Sequence, residues 1–127
     1  VNAELHLTQE RGMISSPFAR SLRPPYWAVI FTSQRTEGDN GYEKTADHTL
    51  EIAAQQPGYL GIEYARGTDG FGITVSYWES AEAIAAWKAN VEHRLAQETG
   101  RSTWYEHYEM RVAIVERAYA KKQRRAR

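Results

Sequence analysis

The chain has 127 residues, with 16 Lys plus Arg balanced by 16 Asp plus Glu, and no cysteine. This length fits one domain, and 42% apolar with 25% charged residues is the balance of a chain that folds. Without cysteine, disulfides, thiolate metal sites, cysteine-held iron–sulfur clusters and a thiol nucleophile are excluded, and no uncharged stretch approaches the roughly 20 apolar residues of a membrane helix.

Residues 1–25 show no sustained period, and Arg23-Pro24-Pro25 favours an extended entry into Tyr26. They are expected to form a flexible N-terminal extension, with residues 1–12 upstream of the folded body. Tyr26 to Ser33 is uncharged and rich in aromatic and β-branched residues, which predicts a buried strand. Arg35 to Gly41 is a polar connection in which Asp39 or Asn40 can cap a helix. Tyr42, Ala46, Leu50 and Ala53 then recur at helical spacing, with Glu43, Lys44, Asp47 and Glu51 off that face, and Pro57-Gly58 stops the helix.

Tyr59 to Ala65 reads as a strand with Leu60, Ile62 and Tyr64 alternating. Arg66 to Gly70 is a hairpin connection whose Asp69-Gly70 pair tolerates positive φ. Phe71 to Trp78 is the returning strand, with Phe71, Ile73, Val75 and Tyr77 on one side. Ser80 is a good N-cap, and Glu79 and Glu82 suit the positive end of the helix dipole. That helix carries Ile84, Trp87, Val91 and Leu95 on one stripe and runs to about Gln97, with a break near Asn90 as an alternative; Gly100 ends it. Trp104 to Tyr108 suits either a helical turn or the start of a strand. Met110, Val112 and Ile114 alternate with Arg111, Ala113 and Val115, so a last strand runs to about Arg117.

The order β-α-β-β-α-β predicts an α+β, ferredoxin-like fold with an antiparallel four-stranded sheet. The folded domain is expected to span 26–119, with 120–127 a basic disordered tail. Both helices of such a fold cover one face, yet these strands are apolar on both: Trp27, Val29 and Phe31 alternate with Ala28 and Ile30. Two-sided apolar strands need cover on both sides, so a second copy packed sheet to sheet, a homodimer, is expected. Glu116 to Arg127 has six basic residues and one acid, whereas residues 26–115 have seven basic and 13 acidic ones. An acidic body argues against a nucleic-acid groove. No positively charged start followed by an apolar core is present. A cytoplasmic protein, with neither nucleic acid nor membrane as partner, is the expectation.

Several features now fall into a pattern: the opening strand Tyr26–Ser33; Pro57-Gly58-Tyr59-Leu60-Gly61; the run Tyr77-Trp78-Glu79-Ser80 through Ala83-Ile84, Trp87 and Glu92-His93; then Gln97, Gly100-Arg101 and Trp104-Tyr105. From about Tyr26 to Tyr119 the chain resembles the antibiotic biosynthesis monooxygenase (ABM) superfamily of dimeric α+β barrels. It is most similar to a small bacterial branch near the haem-degrading monooxygenases. The resemblance implies a monooxygenase that oxygenates an aromatic or polycyclic small molecule without metal or flavin, the substrate itself supplying electrons to O₂. It also implies a site between helices and sheet, shaped by a Trp on the second helix. Trp87 matches that Trp by its place nine residues after Trp78.

The haem-degrading relatives carry an Asn on the first strand, where this sequence offers Thr32 or Ser33. Their axial His falls on Gln97, with His93 one turn earlier. The quinone-forming relatives place an Asn one turn before the Trp, and that turn here holds Glu82 and Ala83. Neither set is complete. A haem-binding or haem-degrading protein and a non-catalytic small-ligand-binding dimer therefore stand as alternatives.

Trp87 and His93 are the expected catalytic residues. Trp87 would supply an indole N–H to a substrate oxygen and His93 a base near neutral pH. On a continuous helix His93 points away from the apolar stripe; a break at Asn90 would turn it inward. Trp27, Phe31, Ser33, Tyr77 and Trp104 are expected to line an aromatic pocket for a flat substrate. His107 is expected to be structural, within an aromatic cluster of Trp104, Tyr105 and Tyr108; His48 is expected on the surface, and His6 lies in the extension. The four His match no metal-ligand spacing, so no metal is expected. Gly67 to Gly72 joins two strands and lacks the setting of a phosphate cradle, and no Gly-x-Ser-x-Gly elbow is present.

Overall fold

The computed structural model describes residues 17–20, 22–38, 50–97 and 105–121, with the side chains of the long helix described as far as Asn90. In chain order it contains β1 (Tyr26–Arg35), α1 (helical residues 50–55), β2 (Tyr59–Arg66), β3 (Phe71–Trp78), α2 (Ala81–Gln97) and β4 (Tyr105–Val115). The four strands form one antiparallel sheet in the order β2-β3-β1-β4. With both helices on one face, this is the expected ferredoxin-like α+β fold.

The first strand lies inside the sheet, between β3 and β4. That position explains the uncharged, two-sided apolar run Tyr26–Ser33. The β2–β3 hairpin closes as Asp69-Gly70 requires: Gly70 adopts φ +89°, the Asp69 carboxylate accepts the Phe71 N–H at 3.0 Å, and the Gly67 N–H donates to the Phe71 carbonyl at 2.8 Å. Ser80 caps α2, its Oγ accepting the Ala83 N–H at 3.1 Å. Gly58 turns the chain from α1 into β2 at φ +87°. A Cβ there would stand 2.7 Å from the Ala83 Cβ, so the loop passes under the first turn of α2 only as glycine.

Val29, Ala53, Trp78 and Ile84 form the core, with Trp27, Tyr59, Ala83 and Trp87 packed against it. Trp78 is completely buried and donates its indole N–H to Ser76 Oγ at 2.9 Å. The opposite face of the sheet carries Ala28, Ile30, Val75, Ile73 and Phe71, the last two 42% and 47% exposed. The sheet is therefore apolar front and back. Also on that face, Tyr77 donates to Glu63 at 2.6 Å and meets Tyr26 edge to face. The Ala19 N–H donates to the other Glu63 oxygen at 3.0 Å. Part of the span expected to be a flexible extension is thus seated on the sheet, Ala19 lying against Gly61.

Helix α2 runs unbroken through Asn90 to Gln97, as expected, so the alternative helical phase beyond Asn90 is absent. Three details differ from expectation. The last strand begins at Tyr105, which excludes a helical turn from that point, and it ends at Val115. A register shift lets Tyr59 pair with Trp78 and Gly61 with Tyr77, interrupting the alternation of Leu60, Ile62 and Tyr64. His107 is not part of the aromatic cluster. Its side chain is 72% exposed and pairs with Glu109 at 2.9 Å on the face away from the helices. Glu109 also accepts from Arg111, and the His107 hydrogen bond, followed by the Arg111 charge, holds its carboxyl below the usual range. Among the described residues no helix is long and apolar enough to cross a membrane.

Candidate functional site

Strand pairing lays the helix-side face out in rows. Tyr59, Trp78, Trp27 and Ile114 form the first; Ile62, Ser76, Val29 and Val112 the second; Tyr64, Thr74, Phe31 and Met110 the third; Arg66, Gly72, Ser33 and Tyr108 the fourth. Rows lie about 6–7 Å apart, two residues along each strand. The core residues of α1 and α2 cover the first two rows around Val29 and Trp78, leaving their β4 ends, Ile114 and Val112, about half exposed. The third and fourth hold hydroxyls, aromatic rings and one cation. The floor thus runs from a dry aromatic end to a polar end.

Trp87 sits at the dry end. Its ring lies 5.2 Å from that of Trp78 at an interplanar angle of 32°. Unlike Trp78, its Nε1 is buried with no hydrogen-bond partner. An unsatisfied buried donor costs about 1–3 kcal/mol, a cost removed when an acceptor arrives. Trp27 packs beside it against the core. Phe31 marks the middle, its ring 5.4 Å from Tyr105 and 5.3 Å from Tyr108. Ser33 is 2% exposed, and its Oγ accepts from Arg66 at 2.8 Å. Trp87, Trp27, Phe31 and Ser33 therefore share one face.

Tyr77 does not join them. Adjacent strand residues point to opposite faces, and Trp78 takes the helix side. Burial and the Glu63 carboxylate raise the Tyr77 phenol above its ordinary range, which keeps it a hydrogen-bond donor. Trp104 lies outside the described residues, and His93 lies on α2 with its side chain outside those described. Arg66, Tyr64, Tyr105 and Tyr108 are not among the residues the sequence assigns to the site. The signal for Arg66 was Gly72, a glycine within a strand, which marks a close approach of another group.

Of the residues weighed for haem, His93 has a side chain outside those described. The described His107 points to the other side of the sheet and is engaged by Glu109. Thr32 also faces that other side, while Ser33 is held by Arg66. Gln97 lies outside the described side chains. Among the described residues no three His, Asp or Glu side chains come close enough to hold a metal ion.

Comparison with known proteins agrees with this architecture. The chain is 52% identical over 99 residues to the uncharacterized protein YqjZ of Bacillus subtilis, a match spanning 78% of this chain and 87% of that protein. Among solved structures, SnoaB, a cofactor-independent oxygenase from Streptomyces nogalater, superposes with a TM-score of 0.58 at 13% identity, covering 79% of this chain and all of that one. PA3566 from Pseudomonas aeruginosa also superposes at 0.58, with 14% identity, covering 78% of this chain and 100% of that one. At such identities the structures share the fold alone. The family profile described as Antibiotic biosynthesis monooxygenase matches residues 25–99, from the start of β1 to the end of α2. The chain belongs to the antibiotic biosynthesis monooxygenase family.

Proposed function

We propose that the protein is a monooxygenase acting on an electron-rich aromatic or polycyclic small molecule, with no metal or flavin. The observation that carries this reading is the Trp87 indole N–H, buried without an acceptor above an aromatic floor. The family supports the reaction class. The Nε1 atom has no open surface in this arrangement, so a ligand oxygen reaches it as its cover moves aside. A phenol or enol oxygen becomes more negative as the substrate ionises, and a hydrogen bond from Trp87 would strengthen with that charge. The ionised ring then reduces O₂. When a ring methylene becomes a carbonyl, one oxygen atom enters the product and the other leaves as water, taking the two methylene hydrogens. His93 follows six residues after Trp87 on the unbroken α2, a helical phase that does not favour it as the base. In the same reading a second copy covers the face away from the helices.

Oxygen consumption with hydroquinone- and anthrone-type substrates tests the proposal. Turnover is expected in the unaltered chain, with kcat/KM lowered roughly ten- to a hundredfold in Trp87→Phe, the range for losing one donor to a developing charge. Absence of uptake across a broad aromatic panel, with ligand binding retained, would replace the enzyme by a binding module.

A further inference from the structure

Arg66 takes no part in the chemistry above, yet its guanidinium is held in place. Nη1 donates to the Gly70 carbonyl at 2.6 Å and the Ser33 carbonyl at 3.4 Å, and Nη2 donates to Ser33 Oγ at 2.8 Å. A Cβ at Gly72 would lie 2.7 Å from the guanidinium carbon and 2.9 Å from Nη1, so the missing side chain there is what lets the group rest on β3. Every one of these anchors is a neutral oxygen. No carboxylate pairs with Arg66 among the described residues.

A guanidinium has five N–H donors, and the three bonds leave two. One is Nε–H, buried without a partner; the other is the second hydrogen of Nη2. Together they form the edge that takes the two oxygens of a carboxylate side by side. A half-buried cation without a counter-ion is costly, and bracing the hairpin leaves that edge unused. Arg66 also shares its row with Ser33 and Tyr108 and lies one row from Tyr64 and Phe31. Val29, in the core against which Trp87 packs, is two rows away, about 13 Å along the floor. That separation suits a flat molecule of two or three fused rings ending in an acid group.

We infer that Arg66 is the anion-binding end of this site, and that its ligand is a fused-ring aromatic carboxylate lying along the floor towards Trp87. The inference rests on the aromatic-ligand reading of the site but not on turnover. Since Nε has no open surface here, the carboxylate is taken up as the cover over that atom moves.

The test compares anthracene-2-carboxylate with its neutral counterpart anthracene-2-methanol, titrated into the full chain and followed by tryptophan fluorescence and equilibrium dialysis. The acid is expected to bind roughly ten- to a hundredfold tighter, the range for charge-assisted hydrogen bonds. That preference should vanish in Arg66→Gln and return only in part in Arg66→Lys, which keeps the charge and loses the fork. Equal affinities in the unaltered chain would overturn the Arg66 assignment while leaving the aromatic site intact. An acid preference that survives in Arg66→Gln would overturn it as well. Binding of neither probe would overturn both readings. The first comparison needs no substitution, so a variant that fails to fold cannot obscure it.

Discussion

Trp78 and Trp87 lie against one another, but their environments assign them different work. Trp78 is fully buried with its N–H satisfied by Ser76, so Trp78→Ala should cost about 3–5 kcal/mol of folding free energy through lost burial and cavity formation. Trp87→Phe removes an N–H that nothing among the described residues accepts, and it should move stability by less than about 1 kcal/mol. Urea denaturation of the two variants checks the contrast; a Trp87→Phe loss as large as that of Trp78→Ala would mark Trp87 as purely structural. Tyr77 offers a second check. Burial first, then the Glu63 carboxylate, favour its protonated form in the folded chain, raising its pKa above the ordinary value near 10. The unfolded chain therefore ionises first. Stability present below about pH 10 should fall as the pH rises through the alkaline range, and Tyr77→Phe should flatten that fall. Thermal melts between about pH 8 and 11 measure it.

At the scale of elements, the turns and caps were legible because their causes are local. Asp69-Gly70, Pro57-Gly58 and Ser80 each act within a few residues of chain, and each sits where those side chains and φ preferences place it. Ser80→Ala should cost about 1 kcal/mol by orphaning the Ala83 N–H. Gly58→Ala should cost more, since it adds positive-φ strain to a 2.7 Å clash with Ala83. Chemical denaturation of both variants would show the order, and a reversed order would mean that α2 shifts easily. Less legible were the bulge beside Leu60 and the end of the last strand. Both depend on which residues of a neighbouring strand are available for pairing, and that is not a local property.

For the whole molecule, apolar side chains stay exposed on both faces: Tyr108, Met110, Val112 and Ile114 along the helix side of β4, and a second group on the face turned away from the helices. Ile73 and Phe71 stand about half exposed there, beside Ile30 and Val75. A contiguous apolar patch of this kind is expected to be covered by a second copy. Light scattering should give twice the chain mass at micromolar concentration, and Ile73→Glu should shift the population to single chains. A dilute, well-behaved single chain without substitution would remove that expectation. The exposed ladder of His107, Glu109 and Arg111 on β4 borders the patch, which makes it the natural polar rim of such a contact.

The sequence by itself determined the element order, the ferredoxin-like topology and the two-sided apolar strands, because hydrophobic period, capping and turn chemistry are written along the chain. It also contained the parity that separates Tyr77 from Trp78, although aromatic composition alone grouped Tyr77 with Trp27 and Phe31 in one pocket. Only the tertiary structure decided which strand parity faces the helices, that Trp87 rather than Trp78 keeps an unmet N–H, and that Arg66 comes to rest on Gly72 beside Ser33. Those outcomes depend on strand register and on packing between residues distant in sequence, where a shift of one residue would send every side chain to the opposite face.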